Sequence, residues 1–282
     1  MLSVVLAVFN EESMLGKCLE SVRDFADEIV IVDGGSTDKT VEIAKSFGAR
    51  VIQTTNPQMF HINKQKALDA AKGEWILQLD ADERVSPKLK KEILDAAQEF
   101  PIEVHDGKKA RLFARHQHFL EQRSGKIGTK DGKIAAYFIP RLNYFLGGWL
   151  RHGGVYPDGA IRLVKKGKAH FPCKDLHEMM AVDGQVSWLS EDLLHYADPT
   201  FERYLLRWNR YTSFIAKQFA DEHVAKSFIG IFNYMFLKPF ITFWSLYLRH
   251  KGILDGFPGF VWSLFSALRF PAAYMKYWEM HG

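Results

Sequence analysis

Glu74-Trp75-Ile76-Leu77-Gln78-Leu79-Asp80-Ala81-Asp82-Glu83 is the stretch that decides the reading of this chain. Its first six residues form a short apolar strand, which delivers two carboxylates onto the loop at its C-terminal end. Side chains at i and i+2 of an extended segment point the same way. Asp80 and Asp82 can therefore share one divalent cation or one polar ligand. Hard oxygen ligands suit Mg²⁺ or Mn²⁺, which bind through one or two carboxylates plus a substrate's phosphates. An acidic pair alone is weak, because such pairs are common on solvated loops. Its weight comes from the rest of the N-terminal half.

That half reads as repeated strand–helix units. Residues 2–9 are a buried-strand run, and Asn10-Glu11-Glu12-Ser13 then opens a helix through about Val22. Residues 28–32 form a second strand, ending at Asp33-Gly34-Gly35-Ser36-Thr37-Asp38. A helix from about Lys39 to Phe47 follows, with Gly48 as its cap. Residues 50–53 are a third strand, His61 to Ala71 a third helix, and Trp75 to Leu79 a fourth strand. Short apolar strands alternating with helices imply a parallel sheet. Ligands of such sheets bind beyond the C-terminal strand ends. Three polar clusters sit there: Asn10-Glu11, Asp33 to Ser36, and Asp80 to Asp82. They should converge on one crevice.

Together, Ala7-Val8-Phe9-Asn10-Glu11, Val32-Asp33-Gly34-Gly35-Ser36-Thr37-Asp38-Lys39-Thr40 and Leu79-Asp80-Ala81-Asp82-Glu83 resemble a family 2 glycosyltransferase of the GT-A fold. Order and spacing match over roughly the first 100 residues, as three linked motifs. Later stretches resemble the subgroup containing lipopolysaccharide-core β-glucosyltransferases: Gly153-Gly154-Val155-Tyr156-Pro157-Asp158, Arg162-Leu163, Leu176-His177-Glu178 and Gly252-Ile253-Leu254-Asp255-Gly256. The resemblance implies an α/β, Rossmann-like nucleotide-diphospho-sugar transferase. It implies transfer of a sugar from a nucleotide donor with inversion, usually with a divalent metal. Ala7 departs from many relatives, which carry proline there, and should only shape the strand end.

With 282 residues there is room for one α/β domain and a substantial appendage. Hydrophobic residues make up 47% and aromatics 14%, so a large core forms without disulfides. The two cysteines, Cys18 and Cys173, make no motif and suggest a reducing compartment. No basic segment precedes the first apolar run, which is too short for a signal sequence, so the catalytic domain is expected on the cytoplasmic side of the plasma membrane. A net charge of +4 is too small to argue for nucleic acid.

Under the resemblance, residue roles can be assigned. Asp33 would accept hydrogen bonds from a uracil or ribose, with Gly35 letting the backbone approach the nucleotide. Val8, Asn10, Glu11 and Ala81 fall in the donor-binding motifs, and Arg162 would bind phosphate or simply pair with an acid. Asp38 is a helix cap. Lys64 or Lys66 can face the donor phosphates, and Lys66 is the preferred candidate. Asp82 is the first choice as direct metal ligand. Asp80 would contact ribose or metal-bound water, and His195 would complete the metal shell or serve as a structural histidine. An inverting transfer also needs a base near the acceptor hydroxyl. Glu178 is favoured because the resemblance places the His177-Glu178 pair at the active site. Asp158 is next, following a Gly-rich stretch. Asp192, in Glu191-Asp192, resembles the acidic pair that supplies the base in other members of the family.

The last third changes character. Glu202 to Ala220 is helical, with Tyr204, Trp208, Tyr211, Ile215 and Phe219 on one face and Arg203, Arg207 and Arg210 on another. Phe228 to Leu248 is almost wholly apolar, broken by Lys238-Pro239 and closed by Arg249-His250-Lys251. A second apolar block runs from Phe257 to Tyr274. The first is long enough to span a bilayer, but a charge and a proline in its middle oppose this. In-plane amphipathic helices docked on an anionic leaflet fit better; a buried helical subdomain or an oligomer interface is the competing reading. The expected division is a GT-A domain over residues 1–200 and a membrane-associating helical region over 201–282. The expected partners are a UDP-sugar, a lipid-linked glycan acceptor such as a lipopolysaccharide core, and the membrane surface. Competing functions are transfer to a polyprenyl phosphate and, in another class, non-catalytic sugar binding. A haloacid-dehalogenase-type phosphatase also puts D-x-D after a strand, but wants Thr or Val where Arg84 stands. No G-x-G-x-x-G follows any strand, which disfavours a dehydrogenase.

Overall fold

Val4, Val5 and Leu6 are fully buried at the centre of the first strand. Burial of each such side chain is worth about 1.5–3 kcal/mol, and this continuous apolar run fixes the strand inside a sheet covered on both faces. The computed structural model describes residues 1–100, 107–174 and 179–280. The elements follow the chain: β1 (Leu2–Val8), α1 (Leu15–Glu20), β2 (Glu28–Asp33), α2 (Thr40–Ser46), β3 (Arg50–Gln53), α3 (His61–Ala70) and β4 (Trp75–Leu79). After them come β5 (Glu83–Val85), α4 (Pro87–Ala97), α5 (Gly107–Ser124), β6 (Thr129–Phe145), β7 (Gly148–Leu150), β8 (Gly159–Lys165), β9 (Ala169–His170), β10 (Ala181–Val182), β11 (Gln185–Trp188) and β12 (Leu193–His195).

The chain divides into two units: Met1–Arg141 with Pro157–His195, and Leu142–Tyr156 with Tyr196–Gly282. In the first, the strand order is β3-β2-β1-β4-β8-β6. β1 pairs in parallel with β2 and β4, and β2 with β3. β8 then pairs antiparallel with β4 and with β6, making the sheet mixed. The register sets Val8 beside Asp33 and Leu6 beside Leu79. The carboxyl ends of β1, β2 and β4 therefore lie side by side. β12 pairs antiparallel with β5 and aligns His195 with Glu83.

The expected first helix begins late, at Leu15, because residues 10–12 are bonded to the loop after β2. Asn10 has a left-handed φ of 54°. Its side-chain oxygen accepts from the Thr37 N–H at 2.8 Å, and the Glu11 N–H donates to Thr40 Oγ1 at 2.7 Å. Asp38 accepts from the Thr40 N–H at 3.0 Å, but it stands one residue before the N-cap, which is Lys39 and makes no side-chain cap bond.

The second unit holds α6 (Phe201–Asp221), α7 (Phe228–Phe232), α8 (Lys238–Trp244) and α9 (Gly256–Glu279). Its boundary differs from the expected division at residue 200 because residues 142–156 join it. Phe145 and Leu150 share an apolar core with Tyr204 and Val261. The His152 ring and N–H both bond the Asp255 carboxylate, at 2.7 and 2.8 Å. Two π-helical turns, Asn233–Leu237 and Ser245–Arg249, make 228–249 one helical run with α7 and α8. Pro239 explains the first, since it has no N–H to continue the regular ladder. Lys238 rests its ammonium 3.9 Å from the Tyr234 ring centroid, a cation–π contact that lowers the cost of a charge in this block. No helix among the described residues is long and apolar enough to cross a membrane.

Candidate active site

β2 ends on Asp33, which is 1% exposed. Its Oδ2 accepts from the N–H groups of Gly35 and Ser36, both at 3.1 Å. Its Oδ1 is buried with no hydrogen-bond partner among the described residues. An unmet buried acceptor is costly, and a ligand donor would satisfy it. Gly35 permits this turn through its φ of 87°.

β4 ends on Asp80-Ala81-Asp82-Glu83, a turn closed by the Glu83 N–H donating to the Asp80 carbonyl at 3.0 Å. Glu83 is fully buried. Its Oε2 accepts from the Asp80 N–H at 2.9 Å, and its Oε1 pairs with Arg162 at 2.6 Å and Arg141 at 3.6 Å. Asp80 pairs with Arg162 at 2.6 Å and Lys64 at 2.5 Å. Burial alone would raise the Asp80 pKa, but the charges of Arg162 and Lys64 outweigh it and hold the carboxyl well below the usual range. Arg141 also pairs with Asp158 at 2.9 Å. Alternating charges thus run Lys64, Asp80, Arg162, Glu83, Arg141, Asp158.

Asp82 faces elsewhere. Its Oδ2 lies 3.6 Å from His195 Nε2, and its Oδ1 is buried without a hydrogen-bond partner among the described residues. Burial pushes its pKa up, but His195 more than offsets this and the net direction is down. Asp82 and His195 are therefore a two-donor set of one carboxylate and one imidazole. This fits a Mg²⁺- or Mn²⁺-class cation whose remaining ligands come from water and a diphosphate. The expected three-residue shell is not formed: among the described residues no group of three His, Cys, Asp or Glu is placed to hold a metal ion. Asp80 instead meets Arg162 and Lys64.

Next to Asp80 lies a cavity of about 500 Å³. Its lining includes His61 and Lys64 from α3, His116 and Leu120 from α5, Arg141, Asp158, Arg162, Phe171, Met179 and Met180. His116 Nε2 accepts from the Gly159 N–H at 3.1 Å, and burial pulls its pKa down, so the ring is neutral. Gly159 has to be glycine here, because a Cβ would stand 2.2 Å from the Trp188 ring.

Other candidates are placed as follows. Lys64, not Lys66, reaches the acidic turn; Lys66 instead donates to Thr54 Oγ1 at 2.9 Å. The Val8 carbonyl is taken by the Gly34 N–H at 2.8 Å, and the Asn10 side chain by Thr37, so both hold the loops together. The Glu11 N–H bonds Thr40, and Ala81 is buried within the turn. Arg162 pairs with acids at the base of the cavity. Asp158 lines the cavity, already engaged by Arg141. Asp192 lies 4.0 Å from Lys109 and does not line this cavity. His177 and Glu178 fall outside the described residues. Sequence reasoning missed Glu83 as a hub, and Arg141 and His116 altogether. Glu83 had a local signal, as the next acid in the quoted motif; Arg141 and His116 had none.

Buried, half-satisfied carboxylates thus stand beyond β2 and β4 of a parallel-stranded half-sheet. Residues 3–133 of the chain match glycosyl transferase family 2. It is 26% identical over 289 residues to the lipopolysaccharide core biosynthesis glycosyltransferase LpsC of Rhizobium meliloti, covering 99% of this chain and 93% of the relative. It is 26% identical over 279 residues to an uncharacterized glycosyltransferase of Rickettsia typhi, covering 94% and 82%. Among solved structures, the glucosyl-3-phosphoglycerate synthase of Mycobacterium tuberculosis with Mn²⁺, UDP-glucose and glycerol 3-phosphate is similar at 28% identity and a TM-score of 0.27. That match covers 29% of this chain and 34% of the synthase.

Proposed function

We propose that the chain transfers a sugar from a UDP-sugar to a lipid-linked glycan of the lipopolysaccharide-core kind, at the cytoplasmic face of a membrane. The observation that carries the donor assignment is the pair of buried, unpartnered oxygens, Asp33 Oδ1 and Asp82 Oδ1, beyond the ends of β2 and β4 on either side of β1. Asp33 would take the N–H or hydroxyl donors of the nucleoside. Asp82 and His195 would hold a divalent cation, which supplies Lewis-acid neutralisation of the departing diphosphate. Lys64 and Arg162 hold Asp80 and bring positive charge to the same end of the sheet. Full-length similarity to LpsC supports a lipopolysaccharide-core acceptor.

The acceptor would enter the cavity beside Asp80. Glu178 is our choice of base, on the resemblance of the Leu176-His177-Glu178 stretch to the family's active-site motif. Asp158 is the alternative, less suited because Arg141 already holds its carboxylate. The experiment is a comparison of Glu178→Gln with Asp158→Asn. Glu178→Gln should keep donor affinity and lose a factor of order 10²–10⁴ in kcat. A crippled Asp158→Asn beside an active Glu178→Gln would exchange the two roles.

The second unit would dock on the lipid surface. Phe228, Phe232, Phe236, Phe240, Trp244 and Leu248 recur every four residues and are 42–83% exposed. They form an apolar stripe with Arg249, His250 and Lys251 at its end.

A further inference from the structure

Within the second unit, α6 and α9 enclose a cleft of about 270 Å³. Its walls are mostly aromatic, with Tyr204, Trp208 and Tyr211 from α6 and Trp262 and Phe265 from α9. Two cations reach it. Arg207 is neutralised by the buried Asp198. Arg269 has no hydrogen bond or ion pair among the described residues, and its guanidinium carbon lies 4.9 Å from the Phe270 ring centroid. Arg269 is itself an exposed residue, and partial burial of its guanidinium beside these walls pulls its pKa down. A cation in this setting favours an anion that itself carries an apolar body. The neighbouring residue, Leu268, is 38% exposed and lines an apolar hollow with Phe240 and Trp244, both on the exposed stripe. Arg269 on the cleft and Leu268 on the hollow are thus consecutive residues of α9.

We propose that this cleft is a binding site for the phosphate of an anionic phospholipid, with Arg269 on the phosphate and the aromatic walls around the glycerol and first methylenes. The proposal deepens the membrane-docking reading and rests on it. It differs from a diffuse basic surface in one respect: the contact is a site, so its walls matter as well as its charge.

Flotation of the full-length protein tests this, with vesicles of phosphatidylcholine alone and of an equimolar phosphatidylcholine–phosphatidylglycerol mixture. Wild type should partition more strongly onto the anionic vesicles. Arg269→Gln should lose about fivefold of that preference, the factor expected of one cationic contact near an anionic leaflet. Tyr211→Ala leaves the net charge unchanged and removes a cleft wall that is 53% exposed, so it should fold and lose part of the same preference. Arg249→Gln, outside the cleft, should lose less than Arg269→Gln. Equal losses for the two arginine variants, or an unchanged Tyr211→Ala, would reduce the effect to smeared charge and overturn the site. Inorganic phosphate should displace no more protein than sodium chloride of the same ionic strength; specific displacement would make this a free-phosphate site and overturn the lipid assignment. Wild type that floats on both vesicles without preference refutes the site alone. Wild type that floats on neither refutes the docking reading together with it.

Discussion

Asp82 keeps one carboxylate oxygen buried and unpartnered while the other faces His195 at 3.6 Å. Replacing it with alanine removes an unmet acceptor, which offsets the lost pairing with His195. Asp82→Ala should therefore melt within about 0.5 kcal/mol of wild type while losing turnover of UDP-sugar; a large loss of Tm would make Asp82 a structural residue instead. Arg162 behaves oppositely. Arg162→Leu strands the buried Glu83 with only Arg141 nearby, and should cost about 3–5 kcal/mol in thermal or denaturant unfolding. A loss under about 1 kcal/mol would mean that water reaches Glu83. Acid should act on the same network through Asp80. Its pKa is depressed in the folded state, so its stabilisation is complete above the usual carboxylate range. It is lost as pH falls from about 4 toward its much lower folded value. Urea midpoints followed downward from pH 5 should decline through that window, and less so in Asp80→Asn. The acidic pair was legible because i and i+2 alternation is local. Arg141 was not: it meets Glu83 only through pairing of distant strands, and no spacing in the sequence encodes that meeting.

At the scale of elements, the first four strands and three helices fall where apolar runs and their turn residues place them, within a few residues at each end. The late start of α1 is a tertiary effect, produced by bonds from Asn10, Glu11 and Glu12 to residues 36–40. β5 and β12 went unread because three-residue strands carry no period, yet their pairing brings His195 to Asp82. The long apolar helical run shows the converse. Its composition allowed a membrane span, a docked helix or a buried helix. The structure buries its inner side, with Ile231, Tyr234 and Met235 packed on the core of Phe219, Tyr274 and Tyr277. Deleting everything after Ser227 would strip this core from α6 and confound a membrane assay. Phe236→Asn with Phe240→Asn is the cleaner change, since these side chains are 62% and 64% exposed. The double variant should keep its melting temperature and UDP-sugar hydrolysis while losing most vesicle flotation. Undiminished flotation would remove the stripe from the docking surface.

At the scale of the whole molecule, every donor-side candidate lies in the unit formed by residues 1–141 and 157–195, and the apolar stripe lies in the other. The sheet with its terminal carboxylates follows from sequence alone, whereas the return of residues 142–156 to the second unit depends on Phe145, Leu150 and the His152–Asp255 pair. The account stands on metal-assisted binding of a UDP-sugar beyond β2 and β4. Calorimetric titration of UDP into the full-length protein, with Mn²⁺ and then with EDTA, tests it most directly, with Asp82→Ala and Asp33→Ala alongside. Mn²⁺ should strengthen binding to wild type and do nothing for Asp82→Ala, while Asp33→Ala should bind more weakly than wild type with or without metal. Equal UDP affinity in EDTA, or an Asp82→Ala protein that binds UDP and Mn²⁺ as wild type does, would contradict the assignment.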